Sequence, residues 1–184
     1  MKQAMKQAIK EATKQAMRKP AATVLVGVLA TAFCCASLPA RADDEAKIRA
    51  LETRFAAAVN AKDIDGIMKA YVPGASLLVF DVIPPRQYVG ADAYRKDWQG
   101  FLSTIKGPVK FEISDLGIST DRNLAYSHSI QHLAGTDANG RTIDLVVRVT
   151  DVYRKIKGRW LIEHEHISVP VDLDSGKPDL ASKP

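Results

Sequence analysis

The chain has 184 residues, with 26 Lys plus Arg against 21 Asp plus Glu, a formal charge of +5, and 46% hydrophobic residues. This composition excludes wholesale disorder, a collagen-like chain and a disulfide-dense mini-protein. The charge is unevenly placed. Residues 1–42 carry seven bases and one acid, Glu11, a net +6, whereas residues 43–184 carry 19 bases and 20 acids, a net −1. Positive charge therefore belongs to the N-terminus, and the rest gives no electrostatic reason to expect nucleic acid or an anionic membrane.

Residues 1–20 parse as MKQA, MKQA, IKEA, TKQA and MRKP, with Lys or Arg every fourth residue. They read as a long basic n-region, or as sequence upstream of a true start at Met17; a basic membrane-surface helix is the alternative. Residues 21–38 carry no charge, and Ala40-Arg41-Ala42 supplies a small-residue cleavage site. Segment 1–42 thus has the layout of a secretory signal peptide cut after Ala42. A retained membrane anchor is the competing reading. Lipidation is disfavoured by Phe33 before Cys34 and Cys34 before Cys35. The expectation is an exported chain, periplasmic or secreted, free of the membrane after cleavage. Both cysteines leave with the signal, so 43–184 offers no disulfide, no thiol nucleophile and no cysteine-ligated metal.

From Asp43 onwards, Ile48, Leu51, Phe55, Ala58 and Val59 follow helical spacing, with Asp43, Asp44 and Glu45 at the favourable end. Asp63 caps a second helix carrying Ile64, Ile67, Met68 and Tyr71, ended by Pro73-Gly74. Leu77 to Phe80 and Gln87 to Val89 are short strands flanking a Pro84-Pro85 loop. Gly90 opens a third helix with Tyr94, Trp98, Phe101, Leu102 and Ile105 on one face, terminated by Gly107-Pro108. The period then changes to two, from Val109, Phe111 and Ile113 through strands at about 124–136, 141–155 and 159–169. Three helices followed by a meander predict an α+β fold, a curved and mostly antiparallel sheet with helices on one side. The domain spans 43–171, and the polar segment 172–184 is expected to be a loose tail.

Lys157-Gly158, taken as a two-residue hairpin loop, pairs Ile156 with Arg159. Uninterrupted, that register sets Tyr153 opposite Ile162, Asp151 opposite His164 and Val149 opposite His166. Glu163 and Glu165 share the face opposite to Trp160, Ile162, His164 and His166, and unpaired glutamates do not belong in a core. The Trp160 face is therefore expected to point inward, with Asp151 beside His164. That pair reads either as an acid/base dyad or as a satisfied buried pair that fixes register. Asp81, after the first strand, is a candidate base at a cavity mouth, with a turn-forming role as the alternative. Phe55, Tyr71, Trp98, Tyr126, His128, Tyr153, Ile162 and His166 are the candidate lining of the pocket. His164, His166, Asp151 and His128 are the only candidate metal set, and the metal-free reading is preferred. No glycine-rich phosphate loop and no G-x-S-x-G occur, so no cofactor and no serine nucleophile are expected.

Two stretches carry a family resemblance. RFAAAVNAKDIDGIMKAY (Arg54 to Tyr71) resembles the N-terminal helices of ketosteroid isomerases. VTDVYRKIKGRWLIEHEHIS (Val149 to Ser168) resembles SnoaL-like proteins and the association domain of calmodulin-dependent kinase II. Together they place residues 46–170 close to the SnoaL-like and ketosteroid-isomerase-like members of the nuclear transport factor 2-like superfamily. That resemblance implies a cone-shaped barrel enclosing a pocket. Ketosteroid isomerases use a carboxylate base with a Tyr and a protonated Asp as oxyanion hole. Asp151 matches the protonated Asp, Phe55 stands where the Tyr would be, and the base position falls near Val79, two residues before Asp81. Steroid isomerisation itself is therefore not implied. The expected function is an isomerase, cyclase or hydratase-type enzyme acting on a small apolar molecule through Asp151, His164 and Asp81. The alternative is a non-catalytic ligand-binding or protein-association module. A homodimer through the outer sheet face is expected.

Overall fold

The computed structural model describes residues 37–182. Three α-helices come first in it: α1 (Ser37–Ala61), α2 (Ile64–Met68) and α3 (Ala91–Ser103). Strands β1 (Leu78–Phe80) and β2 (Tyr88–Val89) lie between α2 and α3. Four long strands follow: β3 (Ile105–Asp121), β4 (Leu124–Asp137), β5 (Thr142–Ile156) and β6 (Arg159–Ser168). The signal segment lies outside the described residues up to position 36; its Ala40-Arg41-Ala42 site falls in the first turns of α1.

The strands form one sheet in the order β2-β1-β6-β5-β4-β3. Every neighbouring pair is antiparallel except β1 with β6, which run parallel. The sheet is open, with β2 and β3 at its edges, so the expected barrel does not close. Ile48, Leu51, Phe55 and Val59 of α1 and Tyr94, Trp98 and Leu102 of α3 join the core with Val79, Val109, Phe111, Leu133, Tyr153 and Ile162 of the sheet. Phe55 sits at its centre, edge-on to Tyr71, Trp98 and Phe111 at 5.8–6.0 Å.

Local signals account for the element ends. The Asp63 carboxylate accepts the Gly66 N–H and caps α2. Gly90 opens α3 at φ 88°, a value that suits a residue without Cβ. Two expected ends differ. Gly107-Pro108 does not stop α3; it lies inside β3, where pairing with β4 shifts between Lys106 and Lys110. The proline is accommodated because β3 is an edge strand and the shift spares a ladder bond. The N-terminal acids also sit deeper than expected, because α1 starts before them. Asp44 is buried there, and it accepts from Lys155 Nζ at 2.7 Å and Trp160 Nε1 at 3.1 Å, which ties α1 to the β5–β6 hairpin.

The segment after β6 turns back on itself. Val171 bridges Pro178, and Leu180 O accepts the Val146 N–H of β5 at 2.8 Å. It takes up β5 edge positions beyond the end of β6.

Candidate functional site

Register on β6 decides the site. Lys157 and Gly158 both have positive φ, 50° and 79°, as a two-residue turn of the primed type needs. Pairing starts as expected, with Ile156 opposite Arg159 and Tyr153 opposite Ile162. A bulge then intervenes: Val152 pairs with His164 and Asp151 with Glu165. Glu163 is the extra residue. Its carboxylate holds Arg154 Nε at 2.6 and 2.7 Å, at the protein surface.

One added residue reverses the facing of everything beyond it. Asp151 and Glu165 both point inward, each 2% exposed. The expected Asp151–His164 dyad is therefore not formed. His164 faces the other way, with Nδ1 2.9 Å from Leu78 O and its ring edge-on to Phe80. His166, His128 and Tyr126 are likewise on the outer face; Tyr126 is 51% exposed. His128 and His166 line an outer-face depression with Asp115 and Arg148. The four-residue metal set is not assembled, because Asp151 stands across the sheet from the three histidines. Among the described residues no group of three or more His, Cys, Asp or Glu is arranged to hold a metal.

The inward face carries a polar cluster built mainly from residues not singled out in the sequence. Glu165 Oε2 accepts the hydroxyls of Tyr94 at 2.8 Å and Tyr71 at 3.0 Å. Glu52 Oε1 accepts the Tyr153 hydroxyl at 2.7 Å, and Tyr153 lies 2.8 Å from Ser127 Oγ. Ser127 donates weakly, at 3.4 Å, to Asp151 Oδ2, while Asp151 Oδ1 is buried with no partner among the described residues. Three buried carboxyls thus meet three tyrosines. Among the described residues no base bonds to any of the three.

Burial in the absence of a cation penalises the charged forms. It pushes Glu165 up to about 8 against the opposing hydrogen bonds of Tyr94 and Tyr71. It pushes Glu52 up to about 7 against the Tyr153 hydrogen bond. Asp151 rises well above the usual carboxylate range through burial, with the charges of Glu165 and Glu52 adding to it. At neutral pH the Glu165 carboxyl is mostly the neutral acid, able to donate a hydrogen bond.

Glu165 lies in the wall of a recess of about 90 Å³ between α3 and the sheet. Asp81, Trp98, Phe101, Phe111 and Gln131 share that wall. Glu165 Oε1 takes no hydrogen bond from the described residues, and Trp98 Nε1 is buried without a partner. Asp81 follows β1, is half-buried, and accepts the Val82 N–H at 2.6 Å; burial raises its carboxyl. Of the residues expected to line a pocket, Trp98 borders this recess. Tyr71 and Tyr153 serve the carboxyl cluster behind it, and Phe55 and Ile162 are core.

Some of the overlooked residues had a sequence signal. Glu52 sits on the Ile48–Leu51–Phe55–Val59 stripe of α1, and Tyr94 lies one turn of α3 before Trp98, itself an expected lining residue. Glu165 had none, since alternation from the hairpin assigned it to the outside.

The SnoaL-like domain family matches residues 48–172. No curated protein matches the chain. Among solved structures, a nuclear transport factor 2-like protein of unknown function from Pseudomonas putida is 31% identical, with a TM-score of 0.70 over 78% of this chain and 98% of its own. A ketosteroid isomerase-like protein from Erwinia carotovora is 21% identical, with a TM-score of 0.57 over 67% of this chain and 93% of its own. A candidate scytalone dehydratase from Novosphingobium aromaticivorans is 16% identical, with a TM-score of 0.63 over 71% and 86%. The last two likenesses concern the fold.

Proposed function

The chain belongs to the SnoaL-like domain family, with a nuclear transport factor 2-like α+β fold, and from that premise we propose that it is an acid/base enzyme for a small, largely apolar molecule bearing a carbonyl or hydroxyl. One observation carries this reading: a buried carboxyl, Glu165, is held near 8 with one oxygen fixed by two tyrosines and the other without a partner among the described residues, in the wall of a recess. Neutral Glu165 donates a hydrogen bond to the substrate oxygen and stabilises the charge that develops there. Asp81 removes the proton from the neighbouring carbon and then either returns it to another carbon, which completes an isomerisation, or delivers it to a departing hydroxyl that leaves as water, which completes an elimination. Asp151, opposite Glu165 and not in the recess wall, keeps its own proton, because burial and the neighbouring Glu165 charge raise its carboxyl. This arrangement keeps Asp81 and Asp151 from the sequence expectation and replaces His164 with Glu165. Names among the structural neighbours, an isomerase-like protein and a candidate dehydratase, support the reaction class by analogy.

Export to the periplasm or medium and a homodimer remain part of the proposal. The first rests on the sequence of residues 1–42. The second is supported by exposed Leu124 and Tyr126 on the outer sheet face, at 50% and 51%.

The test is proton exchange. Cyclic and aryl ketones are incubated with the protein in deuterated buffer, and loss of the α-proton signal is followed by NMR. Catalysed exchange is expected, reduced about 100-fold or more by Glu165→Gln and by Asp81→Asn. Ligand binding with no exchange for any ketone would sink the enzymatic reading in favour of a binding module.

A further inference from the structure

The recess has an unusual charge inventory. Its wall contains three carboxyl side chains, Asp81, Asp97 and Glu165, and no Lys, Arg or His among the described residues. Each carboxyl is engaged by neutral donors. Asp97 Oδ1 accepts the Tyr88 hydroxyl at 2.6 Å, Asp81 Oδ1 accepts the Val82 N–H, and Glu165 Oε2 accepts two tyrosine hydroxyls. None of the three has an ion-pair partner among the described residues, whereas Arg95 on the same helix as Asp97 pairs with Asp65 at 2.6 Å. Buried or half-buried acids are ordinarily matched by a cation. Here no matching charge stands among the described residues, at the place where a ligand would enter.

Four aromatic residues, Tyr94, Trp98, Phe101 and Phe111, share the remaining wall with Gln131 and with aliphatic side chains such as Leu133 and Val147. Ring faces attract a cation, and most strongly where water is excluded. They repel an anion for the same reason. A second, independent feature also points to a ligand. Glu165 is 2% exposed with both of its hydrogen bonds on Oε2, and among the described residues the buried Trp98 Nε1 in the same wall has no acceptor. The carbonyl or hydroxyl oxygen of the substrate is the natural partner for either donor, which leaves Asp81 and Asp97 free for a second, cationic group on the same ligand.

We propose that the recess selects a cationic ligand, a primary or secondary amine on a small ring, with Asp81 and Asp97 as its counter-charges and the aromatic walls around the ring. This rests on the recess being the ligand site and adds the substrate class. An anionic ligand is excluded by the same charges that recruit an amine. The size of the recess, about 90 Å³, is that of one ring rather than of a polycyclic skeleton.

Three probes of one shape and different charge separate the possibilities: benzylamine, benzyl alcohol and benzoate. Binding to the full chain is read by tryptophan fluorescence and by the shift in thermal midpoint, at low ionic strength. Benzylamine is expected to bind at least tenfold more tightly than benzyl alcohol, and benzoate not at all. Asp97→Asn, which keeps an acceptor for Tyr88, is expected to erase most of that preference while leaving benzyl alcohol binding unchanged. Asp81→Asn is expected to weaken benzylamine binding independently, so a folding defect in one variant leaves the other informative. Equal binding of benzylamine and benzyl alcohol overturns the amine assignment and leaves the recess intact as a neutral site. Binding of benzoate overturns it as well. Failure of all three probes to bind removes the recess as a ligand site, and the acid/base reading falls with it.

Discussion

Asp151 and Glu165 face each other across β5 and β6 as direct Cα partners, two inward carboxyls each 2% exposed. No base hydrogen-bonds or ion-pairs with either among the described residues. Side chains opposite each other in an antiparallel pair approach to about 5 Å, so two full negative charges there are unfavourable. The pair must retain a proton at neutral pH.

Stability follows from this with a definite sign. The unfolded chain releases the Glu165 and Glu52 protons near the ordinary glutamate value of 4.5, whereas the folded protein holds them to about 8 and about 7. Between those limits unfolding releases protons, so stability is fully present below about 4.5 and is lost as pH rises through 7 to 8. Thermal unfolding followed by circular dichroism is expected to give a midpoint several degrees lower at pH 8.5 than at pH 5.5. A midpoint that rises across this interval contradicts the buried, neutral assignment.

Glu165→Gln tests the same group without changing its volume. The amide oxygen still accepts from Tyr71 and Tyr94, and the charge to be suppressed is gone. Stability at pH 8.5 is expected to equal or exceed the parent, with a flatter pH dependence. Glu165→Ala instead leaves two buried hydroxyls stranded over a cavity, at a cost of about 2–4 kcal/mol. Chemical denaturation at two pH values distinguishes the pair.

The two faces of β6 predict opposite sensitivities. His164→Ala removes one hydrogen bond to Leu78 O, an effect of about 1 kcal/mol, and leaves ligand binding and proton exchange unchanged. His166→Ala is close to neutral. Tyr94→Phe, on the inward side, removes a donor that favours the ionised form of Glu165 and moves the alkaline limb of any pH–rate profile upward. A loss of activity in His164→Ala with none in Tyr94→Phe would reverse the assignment of faces.

The bulge itself can be removed. Deleting Glu163 joins Ile162 directly to His164 and restores uninterrupted pairing, with Glu165 still opposite Asp151. Only the Arg154 ion pair is lost, a surface pair worth under about 1 kcal/mol. Cooperative unfolding with a modestly lowered midpoint is expected, together with an unchanged pH dependence of stability. Collapse of cooperativity on that deletion would show that the extra residue is needed for the register rather than tolerated by it.

Much of the fold was legible because its signals are local. The Asp63 cap, the Gly90 start and the Lys157-Gly158 turn each act within a few residues, and the change from helical to alternating period at Val109 marks where helices give way to the meander. Gly107-Pro108 misled because a proline stop and an edge-strand irregularity look alike until the neighbouring strand is known. Inward placement of Asp151 was also legible, both from the hairpin and from the resemblance to ketosteroid isomerases.

The amino-acid sequence by itself determined the helices, the meander, the hairpin turn and the near-neutral charge of the chain beyond Ala42. It could not determine which of His164 and Glu165 turns inward, because H-E-H is equally polar on both faces and a bulge leaves no mark in alternation. Only the tertiary structure decided that. Tyr71, from the segment after α2, and Tyr94, from α3, converge on one point of the sheet and donate to a carboxylate oxygen there. Two hydroxyl donors suit a carboxyl better than an imidazole, and the strand takes up one extra residue to bring Glu165 to them.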